Sequence, residues 1–175
     1  QKPLWQQLKS VLFIDNEGRY ILAVIRGDYE VNEVKLAHVV KANQLRLATD
    51  EEIRLNLGSE PGFISPVGSQ ATAKSETELL IIGDQSLRTI KNAYGGGNKK
   101  NYDLLNINID RDYKLDIEAD IALAKNGYLY QPGQPLESIK GIEVGNIFQL
   151  GNHYSSRLQA TFTDEDGRQK EYYMG

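Results

Sequence analysis

The stretch RGDYEVNEVKL, residues 26–36, decides how the rest of the chain is organised. It follows an apolar run typical of a buried strand, residues 20–25, and leads into an amphipathic helical pattern. Asn32 is a favourable N-cap, because its side-chain oxygen can accept hydrogen bonds from amides of the first helical turn. Lys35 then lies in that turn, beside a strand end, where unpaired amides favour an anion. The stretch predicts a receptor for a phosphate, a carboxylate or a developing oxyanion; the alternative is a solvated lysine on an exposed turn.

Composition limits the class of protein. The chain has 175 residues, 40% of them hydrophobic, which suits one domain with a substantial core and room for an appendage. No apolar run approaches the roughly 20 residues of a membrane helix, so no membrane partner is expected. The absence of cysteine excludes disulfides and thiolate metal sites and suits a cytoplasmic location. A formal net charge of −4 argues against a broad phosphate-tracking surface, so only a short piece of any nucleic acid should contact this chain.

Apolar patterns and turn residues predict the secondary structure on both sides of this stretch. Helices are expected after Asn32, after the capping box that starts at Thr49, and over residues 86–93. The glycine-rich residues 94–100 follow a predicted helix and lack the sequence of a phosphate-binding loop, so they predict a flexible loop. The predicted strands are residues 10–14, 20–25, 45–48, 78–82, 104–109 and 141–150, followed by a hairpin of residues 158–163 with 168–174. The expected fold class is α+β: a mixed, mostly antiparallel curled sheet of about six or seven strands flanked by helices, with a C-terminal β appendage.

Four blocks of sequence, in order along the chain, resemble bacterial-type prolyl-tRNA synthetases. The blocks are RGDxxxNEVKL (26–36), GFISPVG (62–68), NINIDRD (106–112) and GIEVGxIFQLG (141–151). The first three resemble the insertion, or editing, domain of that family, which is related to free-standing Ala-/Cys-tRNA(Pro) deacylases. The fourth resembles the catalytic core that follows the insertion. The resemblance implies an editing domain over residues 1–137 and an incomplete returning β segment of the class II synthetase core over residues 138–175.

The resemblance also implies a reaction, the hydrolysis of the ester bond of mischarged Ala-tRNA(Pro) by a deacylase domain of a proline-tRNA ligase. The alternative is a non-catalytic module of the synthetase that binds the acceptor end or only supports the structure. The implied partners are the 3′ aminoacyl end of tRNA(Pro) and the remainder of the synthetase, which would be a homodimer when complete. No cofactor is expected for editing, because ATP and Mg²⁺ serve only the full-length synthetase, whose ATP motifs are absent here.

The residues that match the family's motifs are the expected site. Lys35 would anchor the terminal phosphate or the ester, and Asp84 would hold the α-ammonium or a ribose hydroxyl; both are the expected catalytic residues. Asp84 follows a predicted strand and precedes a predicted helix, so it is also a candidate N-cap. Backbone groups of residues 62–66 would shape the alanine pocket and orient water. The expected substrate-binding residues are Asn32, Gly62, Ser65, Pro66, Gly97 and Asp103.

Two departures from the family pattern affect the expected chemistry. Asp103 stands where the family commonly has a histidine, and an aspartate does not normally titrate near neutrality. The two histidines, His38 and His153, lie elsewhere in the pattern, so no imidazole base is assigned. Many relatives carry a cysteine pair near residues 131–135, which this chain lacks. We therefore expect no metal there and interpret these residues as a linker.

Overall fold

The computed structural model describes residues 2–74, 78–131 and 133–175. It divides into two compact units, Gln1–Lys125 and Asn126–Gly175. The expected domain boundary lies between residues 137 and 138, later in the chain than the boundary between the two units. The assignment of the two parts to an editing domain and a core segment stays a prediction.

The first unit is built on a mixed sheet. Its strands in chain order are β1 (Leu8–Asp15), β2 (Tyr20–Arg26), β3 (Leu45–Leu47), β4 (Leu79–Asp84), β5 (Ala93–Gly96), β6 (Asp103–Ile107) and β7 (Ile117–Ala119). Within the described ranges the main sheet has five strands in the order β3-β1-β2-β4-β7. β1 is antiparallel to both β2 and β3, whereas β2 with β4 and β4 with β7 are parallel. β5 and β6 pair with each other in a separate hairpin.

Helices and short turns connect these strands. They are α1 (Glu33–Val40), α2 (Asp50–Glu52), which continues as a π-helical segment over Ile53–Leu57, and α3 (Ser69–Thr72). The predicted capping box at Thr49 is confirmed: its hydroxyl accepts from the Glu52 amide, and the Glu52 carboxylate accepts from the Thr49 amide. The Arg46 guanidinium and the amide and hydroxyl of Thr49 all donate to the Glu52 carboxylate and lower its pKa to about 2. Gly58 ends the segment with a positive φ of 66°.

The main sheet carries one hydrophobic cluster on each face, because successive side chains of a strand point to opposite faces. One cluster contains Leu22 and Ile81 and packs against residues 53 and 57, the β5–β6 hairpin and the partly buried Ile64 and Val67. The other contains Ile21 and Ile82 and packs against Leu36 and Val40 of α1 and against Ile121. Helix α1 therefore lies on one face of the sheet, and residues 62–67 pack on the other.

The α+β class and the first hairpin, β1 with β2, are confirmed, and three details of the first unit differ from expectation. The described main sheet has five strands instead of six or seven, and parallel pairs are as many as antiparallel ones. The helix expected over residues 86–93 is only a 3-10 turn, Gln85–Thr89. The loop expected over residues 94–100 begins as strand β5. Glycines permit that strand because the Cα atoms of Gly95 and Gly96 lie against the backbone of Leu8 and Phe63.

The second unit contains little regular structure. Its elements are β8 (Leu129–Gln131), β9 (Gln134–Pro135), α4 (His153–Leu158), β10 (Thr161–Thr163) and β11 (Gln169–Glu171). The predicted final hairpin is confirmed by the pairing of β10 with β11. The linker expected over residues 131–135 is wrong, since β8 pairs with β9 there; Pro132 lies outside the described residues. The strand expected over residues 141–150 is also wrong, because these residues are exposed and form no helix or strand, and α4 was not predicted.

Candidate functional site

Three parallel strands end at the same edge of the main sheet and bring distant residues together. β2 ends at Arg26 and leads to α1, β4 ends at Asp84, and β7 is followed by Asp120, Ile121 and Ala122. The carboxyl ends of parallel strands are a common position for sites in open sheets, because the following segments converge there. The predicted residues Lys35 and Asp84 therefore meet the same segment, residues 120–122.

Asn32 begins α1 as the sequence predicts. Its side-chain Oδ1 accepts from the Val34 amide at 3.0 Å and from the Lys35 amide at 3.1 Å. Its own backbone amide donates to the Ile121 carbonyl at 2.8 Å. These bonds confirm the N-cap and tie the first turn of α1 to the segment after β7. A direct contact of Asn32 with substrate stays a prediction.

Lys35 is held by two oxygen atoms that are far away in sequence. Its Nζ donates to Asp120 Oδ2 at 2.7 Å and to the Ala122 carbonyl at 2.9 Å. An ammonium group has three N–H donors, so these bonds leave one for a ligand. The side chain is 37% exposed, which gives a ligand access to it. Asp120 was not predicted from the sequence, where its only signal is a carboxylate directly after a short strand.

Asp84, the last residue of β4, is buried, with only 3% of its surface exposed. Its Oδ1 accepts from the Ser86 amide at 2.9 Å, which confirms that it caps the 3-10 turn. Its Oδ2 accepts from the Ile121 amide at 2.9 Å. Asp84 thus fixes the segment whose neighbouring residues, Asp120 and Ala122, bind the lysine. The Ile121 amide thus donates to Asp84 and the Ile121 carbonyl accepts from Asn32, so residues 120–122 connect all three predicted residues, Asn32, Lys35 and Asp84.

Residues 62–66 form a tight loop on the other face of the sheet. Gly62 has a φ of +81°, a conformation that L side chains rarely adopt, which explains glycine at this position. Ser65 is 1% exposed, and its amide donates to Asn98 Oδ1 at 2.8 Å. The Pro66 carbonyl accepts from the Ser69 hydroxyl at 2.9 Å. The loop is therefore anchored at its C-terminal end.

Asn98 is the residue that holds this loop, and it was not among the expected site residues. Its Oδ1 also accepts from the Ser59 hydroxyl at 2.9 Å, and its Nδ2 donates to the Val67 carbonyl at 2.9 Å. Its backbone amide donates to the Phe63 carbonyl at 2.8 Å. It adopts a left-handed φ of 61°, which asparagine tolerates better than most residues. In the sequence, only the glycines that precede Asn98 mark this position as a turn.

The β5–β6 hairpin supports the same loop. A Cβ atom at position 96 would lie 2.3 Å from the Phe63 carbonyl oxygen, so only glycine fits there. The Gly97 amide donates to the Tyr102 carbonyl at 2.9 Å and closes the hairpin turn. Asp103 is exposed and pairs with Gly96 across the hairpin. The structure thus places Gly62, Ser65 and Pro66 in the loop that Asn98 holds, and Gly97 and Asp103 in the adjoining hairpin. Asn32, Lys35 and Asp84 form a separate group around residues 120–122.

The part of the chain that the structure describes shows neither a metal-binding cluster nor a membrane-spanning helix. It contains no group of three or more histidine, aspartate or glutamate side chains that could hold a metal ion. No helix in the same ranges has the length and apolar character needed to cross a membrane.

Comparisons with known proteins identify the family of the domain. A family model described as the aminoacyl-tRNA editing domain matches residues 1–112. The chain is 38% identical over 174 residues to a proline–tRNA ligase of Limosilactobacillus reuteri (strain DSM 20016), and 40% identical over 172 residues to that of Thermotoga neapolitana. These matches cover 97% and 96% of this chain but 29% and 28% of the ligases, so the chain spans less than a third of their length.

Solved structures share the fold. A crystal structure of a hypothetical protein has a TM-score of 0.56 at 24% identity and covers 69% of this chain and 77% of that protein. A candidate trans-editing enzyme for prolyl tRNA synthetase has a TM-score of 0.51 at 24% identity, and the match covers 61% of this chain and 62% of that protein. The chain belongs to the aminoacyl-tRNA editing domain family. The resemblance to the editing domain of prolyl-tRNA synthetases is confirmed.

Proposed function

We propose that this chain is an aminoacyl-tRNA deacylase that hydrolyses the ester bond of Ala-tRNA(Pro), as the editing domain of a proline-tRNA ligase. The observation that carries the proposal is the Lys35 ammonium group, which Asp120 and Ala122 hold in place with one N–H donor left for a ligand. This lysine belongs to the sequence block shared with the family, and the family match supports an editing role.

Editing is needed because a proline site cannot firmly reject alanine. A missing methylene costs a smaller substrate only about 1–3 kcal/mol of binding, so some tRNA(Pro) receives alanine. A second pocket that admits alanine and excludes proline by size then corrects the error. The rigid loop of residues 62–66, fixed by Asn98, suits such a pocket, since a loop that yields would admit the larger side chain.

The reaction requires little from the protein, because an aminoacyl ester is already activated. A water oxygen attacks the ester carbonyl carbon, the bond from that carbon to the ribose oxygen breaks, and the ribose oxygen takes up a proton. The products are alanine and free tRNA. Lys35, on the side of the sheet that carries α1, would anchor the terminal phosphate. Gly62 to Pro66 would orient the water with backbone groups.

Asp84 and Asn32 act in this proposal as positioning residues. Asp84 is buried and its carboxylate accepts from two amides, so we assign it to holding residues 120–122 and not to contact with the α-ammonium group. Asn32 fixes the first turn of α1, on which Lys35 stands. Asp103 and Gly97 border the substrate through the β5–β6 hairpin.

The proposed function also implies partners, a cellular location and a cofactor requirement. The partners are the 3′ aminoacyl end of tRNA(Pro) and the remainder of a synthetase, a homodimer when complete, in the cytoplasm. Editing proceeds without a cofactor, and ATP and Mg²⁺ serve only the aminoacylation reaction of the complete ligase. The relatives named as ligases support this context, although the chain spans only 29% of the first of them.

A deacylation assay tests the proposal. The purified chain is incubated with Ala-tRNA(Pro) and, separately, with Pro-tRNA(Pro), and the remaining ester is followed over time. We expect faster loss of alanine than of proline, relative to the loss without protein. A chain that binds Ala-tRNA(Pro) but leaves its ester as stable as in buffer would instead support a non-catalytic acceptor-end module.

A further inference from the structure

A charged cleft lies next to the loop of residues 62–66 and is not used by the proposed reaction. Its volume is about 430 Å³, which is ample for a phosphate group together with part of its sugar. The charged residues that line it are Arg54, Glu60, Lys99 and Lys100. Ser59 and Asn98 also line it, so the cleft and the loop share the residue that anchors the loop.

The cleft carries an excess of positive charge in a chain whose net charge is −4. Its one carboxylate, Glu60, is paired with Arg54 at 3.3 Å from Nε to Oε2. Lys99 and Lys100 are exposed, and neither makes an ion pair within residues 2–74, 78–131 and 133–175. Arg54 also lies 4.0 Å from Asp50, so its charge is offset by carboxylates. The excess positive charge therefore comes from the two lysines, which favours an anion.

The turn that carries the two lysines is fixed in place. The Lys99 carbonyl accepts from the Tyr102 amide at 3.1 Å, and the Gly97 amide donates to the Tyr102 carbonyl at 2.9 Å. Asn98 joins this turn to the loop through Phe63, Ser65 and Val67. An anion bound by the lysines therefore lies at a defined place relative to the loop.

We propose that this cleft binds a backbone phosphate of the unpaired 3′ end of the RNA whose terminal ester enters the adjacent loop. The inference rests on the proposed function, which brings that RNA end to residues 62–66. Lysines act on phosphates as point charges, and such interactions position a nucleic acid without selecting its sequence. In a chain whose net charge is −4, the positive charge of the cleft would attract the phosphate locally and so align the 3′ end.

Binding of a labelled RNA microhelix tests the inference. The probe carries the acceptor stem and the unpaired 3′ nucleotides of tRNA(Pro), and its affinity is measured by fluorescence anisotropy at several salt concentrations. We expect the double variant K99A/K100A to bind several-fold more weakly. The slope of log affinity against log salt should fall by about 0.7 for each single-strand phosphate that the variant no longer neutralises. Equal affinity and slope for the variant and the unmodified chain would overturn the inference.

The control removes the same charge elsewhere. Lys91 and Lys114 are exposed and do not line the cleft, so K91A/K114A matches the change in net charge. We expect this variant to keep the affinity and salt slope of the unmodified chain. An equal decrease of affinity in both double variants would assign the effect to overall charge and overturn the inference. So would an equal effect of K99A/K100A on a microhelix without its unpaired 3′ nucleotides.

A substitution that is expected to strengthen RNA binding completes the test. Glu60→Gln removes the carboxylate beside Arg54, so the variant should bind the microhelix several-fold more tightly and with a steeper salt slope. Unchanged or weaker binding would contradict the inference. Because binding is measured separately from hydrolysis, RNA that binds in this way without being deacylated would refute only the proposed function.

Discussion

The Lys35 ammonium group is exposed and held in a fixed position. Its removal should therefore lower the deacylation rate with little effect on the stability of the fold. Lys35→Ala should lower the rate of Ala-tRNA(Pro) deacylation by about 10²-fold, equivalent to about 2.7 kcal/mol of transition-state stabilisation. Its partner Asp120 is exposed, and such ion pairs contribute only about 0–1 kcal/mol to folding. Thermal unfolding should therefore change little. An unchanged rate would remove Lys35 from the mechanism.

Asp120 acts through Lys35, and a double-mutant cycle can show this. Asp120→Asn should lower the deacylation rate by less than Lys35→Ala does, because the Ala122 carbonyl still holds the ammonium group. In the double variant the rate should equal that of Lys35→Ala alone, since the effects of two residues in one interaction are not additive. Additive effects on the measured rates would show that Asp120 has a separate role.

Asp103 tests whether the site needs an imidazole. We expect Asp103→His to change the rate little, because an activated ester needs positioning more than a base near neutrality. The rate of the unmodified chain should then rise only with hydroxide between about pH 6 and 8, without an inflection from a side chain. An inflection of the pH–rate profile at about pH 6.5 would indicate that a histidine takes part, and His38→Gln would be the next variant to measure. A several-fold gain in Asp103→His would show that the site works better with an imidazole.

At the scale of secondary-structure elements, the β5–β6 hairpin depends on one close approach. In Gly96→Ala the new Cβ would meet the Phe63 backbone at 2.3 Å, and backbone cannot yield as a flexible side chain can. We expect a decrease of about 1–3 kcal/mol in the free energy of unfolding measured with urea. Deacylation should fall as well, because Phe63 belongs to the loop of residues 62–66.

Gly141→Ala provides the matched control for this substitution. A Cβ at that position would have no atom within 4 Å, and its φ is not positive, so the unfolding free energy should stay the same. Equal stability of Gly96→Ala and Gly141→Ala would contradict the close approach of the hairpin to the loop.

At the scale of the whole molecule, the two units should differ in their protection from hydrogen exchange. Residues 141–150 form no strand pairs and are exposed, with Ile142 at 91% and Val144 at 98%. β4 is paired on both sides within the main sheet. Amides of residues 141–150 should therefore exchange much faster than those of Ile81 and Ile82, because exchange follows local opening. Equal protection of both regions would be incompatible with this structure.

Features that depend on neighbours in the chain could be predicted from the sequence. The Asn32 cap and the Thr49 capping box join residues two or three positions apart, and the first hairpin joins two strands that follow each other across one short turn. Their hydrogen-bonding groups meet wherever the local backbone adopts its preferred conformation, so short patterns suffice. The blocks shared with the editing-domain family were likewise recognisable from the sequence alone.

Features that join distant residues were decided by the tertiary structure. The bond from Lys35 to Asp120 spans 85 positions, and that from the Ser65 amide to Asn98 spans 33. Residues 94–96 form part of a strand because their glycines fit against a neighbouring backbone. Residues 141–150 carry recurring apolar side chains, yet they have no partner strand. Strand formation depends on the partner that supplies hydrogen bonds and burial, and a local pattern does not contain that partner.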